Sequence, residues 1–150
     1  VERPHEVRPA HRIFGKYYYI LSLFISGGLK EVNIMMEKTM GLVKGRHEMP
    51  VDDFIFGGLL DPTDIEGLEE IACDRLSELF TDVFVSVTSL PNQANFTNVP
   101  VYKRGRLNLY VTEFTAALVA VLNAARCLGI DVTLYHFNFI TGDYNTQEVL

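Results

Sequence analysis

Three features of the chain predict an α/β fold. Strand patterns alternate with helical ones, the two helices differ sharply in character, and the chain closes on a strand–turn–strand. The expected architecture is a small Rossmann-like sheet with flanking helices and a C-terminal β-hairpin. At 150 residues there is material for one core, and an apolar content of 48% with 21% charged residues is ordinary globular composition.

Residues 41–47 (GLVKGRH) and 51–58 (VDDFIFGG) read as short strands around Pro50, the second edge-like because Asp52 and Asp53 open it. A helix follows from Asp61. Asp61 suits a cap, Pro62 the first helical position, and Asp64 and Glu66 the positive end of the dipole. Ile65, Leu68, Ile71, Ala72, Leu76, Leu79 and Phe80 recur at helical spacing, with Glu66, Glu69, Glu70 and Asp74 largely outside that stripe.

Residues 83–90 (VFVSVTSL) read as a strand and 91–106 as a polar excursion or functional loop rich in Asn, Pro and Gly. Residues 107–112 form the next strand. The helix expected at 115–128 has Asn123 as its only strongly polar interior position, so it needs cover on more than one side. It is either central in the fold or part of a subunit interface, and a homodimer is expected on that ground. Gly129 stands where a left-handed cap ends a helix. Residues 132–139 form an aromatic strand that turns at 141–143 and pairs back through 144–149.

The first 34 residues differ from the rest. They are mildly basic, whereas residues 35–150 carry eight basic and sixteen acidic residues, a net charge of −8. Lys30-Glu31-Val32 can be encoded AAG-GAG-GTN, which contains a bacterial ribosome-binding sequence, and Asn33-Ile34 would supply a spacer before Met35 and Met36. The expectation is that residues 1–34 are translated upstream DNA and that residues 35–150 form a single α/β domain. The alternative is a genuine N-terminal helix or membrane-surface anchor. Residues 17–25 (YYYILSLFI) are the nearest approach to a membrane span and are too short for one.

A net charge of −6 disfavours duplex nucleic acid as a partner. Cys73 and Cys127 lack metal-ligand or redox spacing and read as reduced thiols of a cytoplasmic protein. No metal motif, dinucleotide fingerprint or P-loop is present, and no cofactor is expected.

Three places could carry chemistry. Thr112-Glu113-Phe114-Thr115 joins a strand end to a helix start, where free N–H groups face the crevice that α/β sheets use for ligands. Thr112 and Thr115 could add hydroxyl donors, while Glu113 suits a ribose hydroxyl, a base N–H or a cation better than phosphate. The structural alternative has Thr112 capping the helix and Glu113 favouring its dipole. The second place is Lys44, Arg46, His47 and Glu48, followed by Asp52 and Asp53. It could bind an anion or transfer protons, or it could be a solvated connection. The third is Tyr135, His136 and Asn138, of which alternation puts His136 and Asn138 on one face with Val132 and Leu134. They read as a buried hydrogen-bonded pair or as base-contacting groups.

The C-terminal unit LNLYVTEFTAALVAVLNAARCLGIDVTLYHFNFITGDYNTQEV resembles the strand–Thr-turn–helix–strand–hairpin unit of CRISPR-associated Rossmann-fold (CARF-type) proteins. The resemblance covers the last third of the chain and implies binding of cyclic oligoadenylates between two subunits, or their cleavage as a ring nuclease. Thr112 and Thr115 are the positions that carry over. Glu113 departs from the Gly-containing turn of that family.

The function expected is nucleotide-like ligand binding by a small bacterial or phage protein, at Thr112, Glu113, Thr115, His136 and Asn138. Hydrolysis would leave His47 as a remote catalytic candidate. The rival expectation is a non-enzymatic interaction protein, an anti-defence or accessory factor, whose acidic helix face engages a basic partner.

Overall fold

The computed structural model describes residues 12–14, 17–26, 29–58, 60–84 and 101–150. Their strands are β1 (Arg12–Phe14), β2 (Tyr17–Ser26), β3 (Leu29–Val43), β4 (Phe54–Phe56), β5 (Val101–Tyr110), β6 (Ile130–Asn138) and β7 (Asp143–Glu148). The helices are α1 (Ile65–Leu79), α2 (Thr81–Phe84) and α3 (Thr115–Leu128). The strands form one seven-stranded sheet in the order β1-β2-β3-β5-β6-β7, with β4 also beside β3. β4, β3, β5 and β6 run parallel, and β1, β2 and β7 are antiparallel to their neighbours. This is the expected α/β sheet with a C-terminal hairpin. The apolar run at 17–25 lies in β2, so the reading of that segment as a helix is corrected. β3 runs unbroken across residue 35.

α1 starts later than its first cap signal. Asp61 instead folds a local turn, accepting hydrogen bonds from Thr63 N at 2.8 Å and Thr63 Oγ1 at 2.6 Å. Asp64 is the N-cap, with Oδ1 accepting from Gly67 N at 3.0 Å. Leu68, Ala72, Leu76 and Phe80 are buried, whereas Ile65 and Ile71 remain 50% and 46% exposed. The buried stripe is therefore narrower than the sequence pattern.

α3 has the expected bounds, and Gly129 closes it in the left-handed region at φ 68°, its N–H reaching Ala125 O and Arg126 O. α1 packs along α3, and the other side of α3 meets β6 and β3. Ala117, Ala120, Ala124 and Ala125 are buried at these contacts, small enough to let neighbouring elements approach closely. The apolar helix is thus central in the fold, and its apolarity no longer requires a second subunit. Val119, at 48% exposure, is its principal exposed apolar residue.

Three other expectations change. The strand at 41–47 is only the end of β3, which stops at Val43 before a turn. Val83 and Phe84, expected to begin a strand, lie in α2, and the rest of that strand falls at 85–90, outside the described residues. Residues 101–106, expected in a polar excursion, are the first half of β5 and pair with residues 32–37 of β3. A partner some seventy positions away in sequence overrides their polar composition. Their charges are accommodated: Lys103 Nζ donates to Asp82 O at 2.8 Å and Arg104 pairs with Asp131 at 3.2 Å.

The register sorts the sheet into two faces. One carries Met36, Met40, Leu107, Leu109, Ile130, Val132 and Leu134, all buried beneath the helices. Lys38 lies among them at 7% exposure; burial pushes its ammonium below the usual range, and Asp82 partly offsets this. The other face carries Glu37, Thr39, Arg106, Asn108, Tyr110, Asp131, Thr133, Tyr135 and Tyr144.

A cleft at the carboxyl ends of the parallel strands

β3, β5 and β6 all end at the same edge of the sheet, where open α/β sheets take ligands. A cleft of about 570 Å³ opens there, lined by Arg46, His47, Glu48, Val111, Thr112, Glu113, His136, Phe137 and Phe139. Each strand delivers its share through the turn that follows it. After β3, Gly45 adopts φ 83°, a conformation other residues seldom accept, and the chain then places the Arg46 guanidinium 5.0 Å from the centre of the Phe114 ring. Among the described residues no carboxylate pairs with that guanidinium.

After β5, Thr112 and Glu113 form the opposing wall. The N-cap of α3 is Phe114, which offers no side-chain hydrogen bond, and no acidic residue lies in the helix's first turn. The capping role considered for Thr112 is therefore not what this turn does. Instead Thr112 Oγ1 is buried and has no hydrogen-bond partner among the described residues. A buried hydroxyl of this kind costs folding free energy, and a group in the cleft would satisfy it only if the Thr112 side chain turned toward the cleft. The start of α3 adds the positive end of a helix dipole; its first turn holds no acidic residue, and Glu113, just before the N-cap, is the carboxylate beside it.

β6 brings in His136 and Phe137 on opposite faces. His136 Nε2 lies 3.1 Å from Gln147 Oε1 of β7, which holds the ring in place and leaves Nδ1 without a partner among the described residues. The Phe137 ring sits 6.4 Å from His47, 5.0 Å from Phe139 and 5.3 Å from Tyr144, centre to centre. Phe139 is 83% exposed at the rim.

The structure therefore joins the first two places singled out in the sequence and one residue of the third. Thr112, Glu113 and His136 line the same cleft as Arg46, His47 and Glu48. Lys44, Asp52 and Asp53 of the second place do not line it, and neither do Thr115 and Asn138. Thr115 is exposed on the first turn of α3, and Asn138 Oδ1 builds the hairpin turn by accepting from Ile140 N at 2.9 Å and Thr141 N at 3.4 Å. Phe137 and Phe139 were not anticipated. Their only signal in the sequence was a place at the end of a parallel strand.

The cleft brings together a cation, hydroxyl and carboxylate hydrogen-bonding groups, two imidazoles and an apolar aromatic wall. Thr112 Oγ1 has no hydrogen-bonded base, so it is not an activated nucleophile. No group of three or more metal-ligating side chains occurs among the described residues, and no described helix is long and apolar enough to cross a membrane. The chain matches no family model, no curated protein and no solved structure.

Proposed function

We propose that the cleft binds a nucleotide-like ligand. The observation that carries this reading is the convergence of Arg46, the partnerless Thr112 hydroxyl, Glu113 and Phe137 on one cavity of about 570 Å³. Arg46 and the start of α3 favour a phosphate-type group. Phe137 and Phe139 offer a surface to a planar ring, and Glu113 accepts from a hydroxyl or a base N–H. A cyclic-oligonucleotide sensor is one form of this reading, carried by the resemblance of the C-terminal unit. Hydrolysis of the ligand would draw on His47 and His136, the two imidazoles at the cleft.

The test is thermal unfolding of the full chain with mononucleotides, dinucleotides and cyclic oligonucleotides, followed by titration calorimetry. A ligand at a hundred times its dissociation constant stabilises by about 2.7 kcal/mol, a rise in melting temperature of about 5–10 °C for a chain of this size. Arg46→Ala abolishes that rise. A second reading rests on α1, where Glu66, Glu69, Glu70 and Asp74 are all exposed beside Ile65 and Ile71. No stabilisation by any nucleotide, together with salt-sensitive binding of a basic protein or peptide, would favour that surface over the cleft.

A further inference from the structure

α1 and α3 pack on the same face of the sheet, because the connections through them step across it in one direction, from β4 to β5 and from β5 to β6. Among the described residues no helix lies on the second face. That is unusual for a sheet whose central strands are parallel, since such sheets are stable when both faces are covered. The side chains show the imbalance. Leu109 and Leu134 are 0% and 3% exposed, while their neighbours Tyr110 and Tyr135 on the second face are only half-buried; Asn108, donating to Glu37 Oε1 at 2.6 Å, is the buried exception there.

The second face is not simply a solvated polar surface. Tyr110 stacks on Tyr135 at 4.7 Å and meets Tyr144 edge-on at 4.7 Å, and Tyr144 meets Phe137 at 5.3 Å. Burial of the Tyr110 hydroxyl, with Tyr135 and Tyr144 beside it, pushes its ionisation above the usual range. Below this aromatic row lie Thr39, Asn108 and Thr133, and then Glu37, Arg106 and Asp131 in register. Tyrosine, phenylalanine and arginine without lysine is the composition of a protein interface. The charges are of both signs: Arg104 already pairs with Asp131 at 3.2 Å, and Arg106 stands between Glu37 and Asp131. A surface that meets its own copy across a two-fold axis needs such self-complementarity, whereas a polyanion would need an excess of cations.

We propose that the second face of the sheet docks a second copy of this chain, the two sheets packing face to face with Tyr110, Tyr135 and Tyr144 at the centre. The homodimer then forms through the sheet and not through α3. Phe137 belongs both to this aromatic cluster and to the cleft wall, so the partner abuts the cleft. Docking does not depend on what the cleft binds, and its test contains no ligand.

Sedimentation velocity of the full chain is combined with tetranitromethane nitration mapped by peptide mass. The chain sediments as a dimer at about 100 µM, the weak end of specific association. Tyr110, Tyr135 and Tyr144 then nitrate at least about tenfold more slowly than Tyr102, which is 51% exposed, and lose that protection on dilution to monomer. Thr133→Lys with Thr146→Lys places four cations in a dimer interface and raises its dissociation constant about a hundredfold or more. Val119→Lys on α3 leaves it unchanged. A monomer at that concentration overturns the proposal. So does a dimer whose three tyrosines nitrate as fast as Tyr102, or dissociation by the α3 substitution alone.

Discussion

Thr112→Val separates binding from folding at a single atom. Thr112 Oγ1 is buried and has no hydrogen-bond partner among the described residues, and its chain neighbour Val111 and nearby Phe114 are each 8% exposed. Leaving such a hydroxyl unsatisfied costs about 1–3 kcal/mol, and valine fills the same shape with a methyl group. The substitution is therefore expected to stabilise the unliganded chain by about 1–2 kcal/mol, or about 2–8 °C in melting temperature. Urea unfolding should show a higher midpoint with an unchanged slope, the signature of altered stability without altered exposure. The ligand effect has the opposite sign. If the hydroxyl donates to a charged phosphate oxygen, losing that bond costs about 1.5–3 kcal/mol, or about 10- to 150-fold in affinity. Destabilisation by 1 kcal/mol or more would show that the hydroxyl already has a partner, and unchanged affinity for a ligand of the cleft would remove Thr112 from the site.

Glu113→Gly should strengthen phosphate-type ligands, weaken those whose hydroxyl or N–H the carboxylate accepts, and cost about 1 kcal/mol through the freer backbone; a stability loss with no change for any ligand would make the turn scaffold. Lys38 has a folded pKa below its unfolded value of 10.5, so the unfolded chain holds more protons between those two values and stability should rise with pH across that window. Lys38→Met should flatten that alkaline rise, and unchanged pH dependence in urea melts would refute this. Gly105→Ala should cost about 1–3 kcal/mol, since a β-carbon there would stand 2.8 Å from Cδ1 of the buried Phe80 ring, and a variant as stable as the parent would show that the ring moves freely. A chain beginning at Met35 keeps the buried core from Met36 onward and should melt cooperatively; a molten product would show that β1, β2 and the first part of β3 are needed to hold it.

What the sequence determined by itself was local. Thr115–Leu128 was legible as a helix because its apolar residues are good helix formers and Gly129 accepts the left-handed cap. The C-terminal hairpin was legible because a turn around Gly142 separates two extended runs. The same locality misled at Asp61, a cap by residue type that folded a tighter turn with Thr63, and at residues 101–106, polar by composition but held as strand by β3. Only the tertiary structure decided that Arg46 and His47 face Thr112 and His136, residues more than sixty positions apart brought to one edge by parallel pairing of β3, β5 and β6. It alone decided, too, that α1 and α3 cover one face of the sheet and that α3 buries its alanine-rich side against α1 and the strands. Helical period and capping act over a few residues, whereas strand order and the side to which a crossover turns are set by the packing of the whole sheet, where no window of sequence records them.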